Sequence, residues 1–258
     1  MRLKKQFIPL GFLICVLILV VLIFKYQQIY QQRAQTFGSP GLYVSGNKIV
    51  NQDGQEIILR GVNRSGGEYA CSQGWGFMDG PYDEASVQAM ASWKMNVVRL
   101  PVNEHCWLGL PDIKSQYGGA NYQKFIKDYI ALFNKHGMYV IFDMHWSGAN
   151  GTTNAPMADK EHAIDFWKSA ASILKDNQNV LFDLVNEPHD ISWDCWKNGT
   201  DCQYIGMQQL VDAVRSTGAK NIIMVGGLEY ANNLTGWLAN QQTDPTGNLV
   251  ASWHVYPV

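Results

Sequence analysis

At 258 residues, 47% of them hydrophobic, the chain has the length and composition of one large globular domain or two small ones. Its charge is uneven: residues 1–33 hold five basic side chains (Arg2, Lys4, Lys5, Lys25, Arg33) and no acid, which leaves the remainder with 15 basic against 22 acidic residues, a net of −7. That sign repels a phosphate backbone and disfavours nucleic acid as a partner, whereas nine tryptophans supply flat apolar rings of the kind that stack on sugars.

Residues 7–24 form 18 positions without a charge, preceded by Arg2, Lys4 and Lys5. As a helix they span roughly 27 Å at about 1.5 Å per residue, enough for a bilayer core. No small-x-small cleavage site follows, so residues 1–24 are expected to be an uncleaved signal-anchor or transmembrane helix rather than a removed signal peptide. Residues 25–40, rich in Gln, read as a polar stalk. The basic flank predicts the N-terminus inside, so the domain at 41–258 is expected to be extracellular, held to the membrane by that helix, or secreted. Cysteine usage agrees with export. Cys15 lies in the apolar segment, and Cys71, Cys106, Cys195 and Cys202 form an even set outside it. Of three pairings, Cys71–Cys106 and Cys195–Cys202 are expected: the first two follow neighbouring strands, and the second two share one short loop. The absence of any Cys-x-x-Cys argues against a zinc site.

After residue 40 the first signal is a hairpin, 42–44 and 48–50 around Ser45-Gly46-Asn47, with a second turn at Asp53-Gly54. Then one pattern recurs: a short apolar run, a polar loop, an amphipathic helix, the next run. The runs are 57–63 (IILRGVN), 96–102 (NVVRLPV), 139–146 (YVIFDMHW), 180–189 (VLFDLVNEPH), 221–229 (NIIMVGGLE) and 249–257 (LVASWHVYP). Their spacing of about 40 residues, closing to about 30 at the last step, suits βα units. Between them Tyr122, Phe125, Ile126, Tyr129, Leu132 and Phe133 fall on one helical face, stopped by Gly137. Ile164, Trp167, Ala171 and Leu174 repeat the stripe, as do Leu210, Val211 and Val214 before Gly218. Parallel strands so arranged form a (β/α)8 TIM barrel or an open doubly wound sheet; no Gly-x-Gly-x-x-Gly follows the first strand, which lowers the second option.

The run 180–189 is the most informative. Its apolar residues read as a strand buried on both faces, and Pro188, unable to donate to a ladder, ends it. Asn186-Glu187 at that exit puts a carboxylate half desolvated beside an amide, the setting that raises a Glu pKa and keeps it a proton donor near neutral pH. The plainer alternative is a Glu that caps the next turn. In a barrel the strand ends meet at one mouth, which here collects Asn63, Arg99, His145, Asn186, Glu187, Glu229, His254 and Tyr256. A metal held by Asp143, His145 and His254 competes, but it lacks a His-x-His or similar ligand cluster, and no cofactor or metal is expected.

Arg60-Gly61-Val62-Asn63, Arg99 in NVVRLP, His145 in DMHW, Asn186-Glu187-Pro188 and His254-x-Tyr256 stand in order on successive runs, and from about residue 42 onward the chain resembles glycoside hydrolase family 5, the cellulase-like retaining glycosidases. The resemblance implies that Glu187 is the general acid/base and that Asn186 holds the sugar 2-hydroxyl. It also implies that Arg99 and Tyr256 hydrogen-bond the nucleophile carboxylate, and that His145 and His254 line the cleavage subsite. Trp107, Trp146, Trp193 and Trp196 are candidate sugar platforms, Trp146 foremost. The departure is at the end. Six of the family's eight strands are present, and the family's nucleophile, a Glu closing the seventh, is not among them. The chain is therefore expected to be a truncated part of a retaining endo-β-1,4-glycosidase acting on plant-type polysaccharide, with the first and sixth strands left as open edges. A β-mannanase of the same family, or a non-catalytic carbohydrate-binding remnant, is the alternative. Glu229 and Glu104 are weak substitutes for the nucleophile, Glu229 more plausibly lining the sugar site.

Overall fold

The computed structural model describes residues 41–147 and 155–256, together with Lys25. The described stretches from 41 onward belong to one compact unit, Ser39–Val258. Among the described residues no helix is long and apolar enough to cross a membrane; the apolar segment at 7–24 lies outside them.

The unit opens with the expected hairpin, β1 (Tyr43–Ser45) antiparallel to β2 (Lys48–Val50). Ser45 pairs with Lys48, so the loop is two residues long, and its first, Gly46, takes φ +61°, which glycine adopts without strain. Six parallel strands follow in strict sequence order: β3 (Gly61–Asn63), β4 (Val97–Asn103), β5 (Tyr139–Trp146), β6 (Val180–Asp183), β7 (Ile223–Gly226) and β8 (Leu249–Ser252). This is a half-barrel. The central strands β4, β5 and β6 are buried along most or all of their length, as strands covered on both faces must be, while β3 is exposed throughout. Beside the two edges, Ile58, Val62, Trp253, Val255 and Tyr256 stand exposed, as the six-strand reading requires.

Alternation along the strands sorts the side chains into two layers. Val98, Leu100 and Val102 of β4, Val140, Phe142 and Met144 of β5, and Val180 and Phe182 of β6 join the main core beneath the helices. The intervening Val97, Tyr139, Ile141 and Leu181 form a smaller inner cluster with Leu42 and Ile222. The hairpin seals the N-terminal ends of the strands: Leu42 N–H donates to Gln178 O and Val44 N–H to Asn248 Oδ1, just ahead of β6 and β8.

Outside the sheet lie α1 (Gly67–Ala70), α2 (Glu84–Ser92), α3 (Glu104–Leu108), α4 (Ala120–Lys135), α5 (Ala163–Leu174), α6 (Trp193–Asn198) and α7 (Met207–Ser216). The stripes read from sequence pack as expected, Tyr122, Ile126, Tyr129 and Phe133 of α4 being buried and Gly137 leaving the helix at φ +83°. Phe142 is the hub of this layer, its ring 5.2 Å from Trp107 and 5.9 Å from both Phe166 and Trp167. Both expected disulfides form, Cys71–Cys106 and Cys195–Cys202.

The run 180–189 is shorter as a strand than the sequence suggested. Pairing with β7 stops at Asp183, after which Leu184 N–H reaches Met224 O and Asn186 N–H turns to Met144 O on the other neighbour. The segment stays buried while it bends, so it is the change of partner, before Pro188, that ends the strand.

Glu104, weighed above as a substitute nucleophile, has another role. It is fully buried at the start of α3, with no N–H or hydroxyl donor on either carboxyl oxygen and the Asp159 carboxyl as the one neighbour that acts on its titration. Two carboxylates can share a hydrogen bond only if one carries the proton, and burial first, then Asp159, pushes Glu104 well above its ordinary value. Asp159 is held low: burial opposes this, but the Glu104 hydrogen bond and the amides of His162 and Glu161 outweigh it. The pair ties the loop ahead of α5 to α3. Native Glu104 thus keeps a proton that the unfolded chain loses near its ordinary pKa, so this contribution is complete at low pH and declines as pH rises toward the raised native value. Glu104→Gln, which keeps a donor for Asp159, should gain in unfolding free energy relative to the parent as pH is raised from 5 to 8, by up to about 1.4 kcal/mol per pH unit, and its thermal midpoint should rise with it. Parallel melting curves of the two proteins across that range check it.

Candidate active site

At the C-terminal end of the half-barrel lies a cavity of about 470 Å³. Of the eight residues expected at the mouth, seven line it: Asn63, Arg99, His145, Asn186, Glu187, His254 and Tyr256, joined by Met224, Ser252 and Val255.

Their placement follows from strand parity. Arg99 on β4, Asp143 and His145 on β5 and Asp183 on β6 alternate with the main-core residues and so share the inner face. Register then brings them together, since Pro101 lies opposite Asp143 and Asp143 opposite Asp183. The Arg99 side chain, 12% exposed, binds both acids: Nη2 is 3.0 Å from Asp143 Oδ1 and 2.9 Å from Asp183 Oδ2, and Nε donates to Asp183 Oδ2 at 3.0 Å. Nη2 also donates to Asn186 Oδ1 at 3.0 Å, so the Asn186 amide offers the cavity its Nδ2 donor. Burial alone would lower the Arg99 pKa, but Asp143 and Asp183 raise it further. Burial raises Asp183, against the pull of Arg99.

His145 Nδ1 lies 2.6 Å from Asp143 Oδ2. Burial disfavours its charge, yet the Asp143 carboxylate, by charge and by hydrogen bond, more than offsets this and raises the imidazole above its ordinary value. The buried Glu68 lies close enough to feel both groups. Burial raises its pKa, against its own and the Gly66 amide, and His145 pulls it back.

Glu187 sits four residues beyond β6 at φ +55°. Left-handed backbone costs a residue with a Cβ roughly 1–2 kcal/mol, and such outliers cluster at functional sites. Its Oε1 accepts from His254 Nδ1 at 2.9 Å and from the Tyr256 hydroxyl. Arg99, expected beside a nucleophile carboxylate, is taken up by Asp143, Asp183 and Asn186, and Tyr256 is on Glu187. Glu187 is the only carboxylate lining this cavity among the described residues. The arrangement provides one carboxyl able to transfer a proton, beside the buried Arg99–Asp143–Asp183 cluster and the amide and imidazole groups of the lining.

Several expectations are corrected. Glu229 does not reach the cavity; it accepts from Asn233 Nδ2 at 3.1 Å in a separate depression with Trp253. Three tryptophans are packing residues. Trp107 and Trp196 are fully buried, their Nε1 groups donating to Ser169 Oγ and Gly226 O, and Trp193 packs edge-on to Trp196 at 5.0 Å. Trp146 ends β5 outside the cavity lining, tilted 6.0 Å from Tyr69, which meets the half-exposed Trp75 at 6.1 Å. Asp183 was missed, although an Asp inside an apolar strand at the parity of Arg99 was a usable signal. No group of three His, Cys, Asp or Glu among the described residues could hold a metal.

Comparison with known proteins places this geometry. Residues 50–258 match the cellulase (glycosyl hydrolase family 5) model. Endoglucanase A of Butyrivibrio fibrisolvens is 27% identical over 225 residues, covering 83% of this chain and 45% of that protein. Endoglucanase 1 of Robillarda sp. (strain Y-20) is 31% identical over 162 residues, covering 53% and 39%. The solved structure of XacCel5A in complex with cellopentaose superposes with a TM-score of 0.57 at 28% identity, over 75% of this chain and 64% of that one. The chain spans less than half the length of these two endoglucanases. With a six-stranded parallel half-barrel and a family match over most of its length, this chain belongs to glycosyl hydrolase family 5.

Proposed function

We propose that this chain is part of a retaining endo-β-1,4-glucanase in which Glu187 is the general acid/base. The observation that carries the reading is the Glu187 carboxyl, facing the cavity and held by His254 and Tyr256. The endoglucanase names of the relatives, and cellopentaose in the XacCel5A structure, support a β-1,4-glucan as substrate rather than a mannan.

In the proposed first step Glu187 gives its proton to the leaving glycosidic oxygen while a second carboxylate attacks the anomeric carbon and forms a glycosyl-enzyme. Glu187, now ionised, then takes a proton from the water that releases the sugar. Asn186 Nδ2 serves a sugar hydroxyl, and His145, its Nδ1 turned to Asp143, lines the cavity beside it. Retention needs the second carboxylate about 5–5.5 Å from the first. No described residue of the cavity supplies it, and the sheet is open at β3 and β8, so we assign it to chain beyond the six strands. The two disulfides and the apolar, basic-flanked segment at 7–24 support a membrane-anchored enzyme with this domain extracellular, or a secreted one.

In an enzyme extended through the remaining strands, Glu187→Gln should lower kcat on carboxymethyl-cellulose by about 10²–10⁴-fold with an unchanged thermal midpoint. Activity equal to the parent removes Glu187 from this role, and turnover by the isolated 258-residue chain removes the need for the second carboxylate. Arg99→Lys keeps the charge but loses the planar fork that serves three partners, and should cost at least about tenfold in kcat. Steady-state rates on cello- and manno-oligosaccharides check both variants and the sugar.

A further inference from the structure

Three consecutive residues after β7, Glu229, Tyr230 and Ala231, hold φ of +53°, +61° and +60°. Residues with a Cβ visit left-handed backbone singly, not in runs, and a run persists only where its surroundings over-determine it. The surroundings here are the Glu187 loop on one side and the exit of β8 on the other. Tyr230 N–H donates to Pro188 O at 3.0 Å, and the Tyr230 ring lies flat on the His189 imidazole, centroids 4.3 Å apart and planes 13° from parallel. His189 is buried, and its Nδ1 meets the Glu187 carbonyl at 2.8 Å; a carbonyl only accepts, so the proton is on Nδ1. On the far side Ala231 O accepts from His254 N–H at 3.1 Å. Gly226 permits the close approach, since a Cβ there would lie 3.2 Å from the Ala231 Cβ and 3.5 Å from Pro188 Cδ.

We infer that Tyr230 is a positioning residue for the Glu187–His254 pair. Its ring, seated on His189, clamps the left-handed turn onto the 187–189 loop. Because the same turn holds His254 by its backbone, the clamp fixes the hydrogen bond between His254 Nδ1 and Glu187 Oε1. Tyr230 lies outside the cavity lining, so it acts through the pair and not on a sugar. The inference rests on the reading of Glu187 as the acid/base.

The test compares kcat/KM of the full-length enzyme on phenyl and 2,4-dinitrophenyl β-cellobioside. The first leaving group needs a proton from the enzyme and the second does not. Tyr230→Ala should lose about tenfold or more on the phenyl substrate and less than about twofold on the dinitrophenyl one, and Tyr230→Phe, which keeps the ring, should match the parent on both. Equal loss on both substrates means a general structural defect and overturns the inference. Glu187→Gln, run alongside, separates the two readings. If it shows no leaving-group dependence, the acid/base assignment fails; if it shows the dependence and Tyr230→Ala does not, the clamp alone fails. Amide hydrogen exchange on the same full-length enzyme gives a readout without turnover. Tyr230→Ala should speed exchange at His189 and His254 by about tenfold or more while Val140 and Phe182 keep the parent rate, and unchanged protection at His189 and His254 overturns the inference.

Discussion

The inner face of this half-barrel is organised by one guanidinium. Arg99 binds carboxylates on the next two strands and the Asn186 side chain, joining β4, β5 and β6 at the level where the sheet ends and the site begins. Two acids against one cation would be a poor exchange if either acid were left unpaired, because removing one partner of a buried ion cluster costs about 3–5 kcal/mol. The cluster answers this by distributing its contacts. Asp143 holds Arg99 with one oxygen and His145 with the other, while burial raises Asp183. Asn186 precedes Glu187, so the backbone joins the ion cluster directly to the carboxyl that lines the cavity.

That cluster exists because of parity. A parallel strand buried on both faces reads as a continuous apolar run, and a polar residue within it must find a partner on its own face. Arg99, Asp143, His145 and Asp183 all interrupt such runs at the same parity, alternating with Leu100, Phe142, Met144 and Phe182, which pack under the helices. The outer layer, with Phe142 among Trp107, Phe166 and Trp167, supplies the apolar burial that lets the inner face hold charge.

Much of this was legible in the sequence, and the failures have physical causes. Strand order and seven of the eight mouth residues could be read because a strand's exit is marked by a polar residue after an apolar run. Glu229 failed because β7 ends at Gly226, after which Gly227 and the left-handed turn carry the chain out of line; counting outward from the strand assumed a straight continuation. The tryptophans failed for a different reason. Residue type reports a flat apolar ring but not the face it takes, and Trp107 and Trp196 lie on helices of five and six residues, too short for a 3.6-residue period to reveal their burial. The Cys71–Cys106 pairing was readable because it depends only on β3 and β4 being neighbours, which sequence order supplied.

The strain at Glu187 sharpens the functional argument. A residue before proline prefers extended backbone, and one with a Cβ avoids positive φ, yet Glu187 stands before Pro188 at φ +55°. Glycine would take that φ without penalty. The conformation is held from outside, by Asn186 N–H on Met144 O, Tyr230 N–H on Pro188 O and His189 on the Glu187 carbonyl. What glycine lacks is the carboxyl, and the carboxyl faces a cavity where His254 and Tyr256 both donate to it. A backbone arranged at this cost to present one side chain is more economically explained by what that side chain does than by any contribution it makes to the fold.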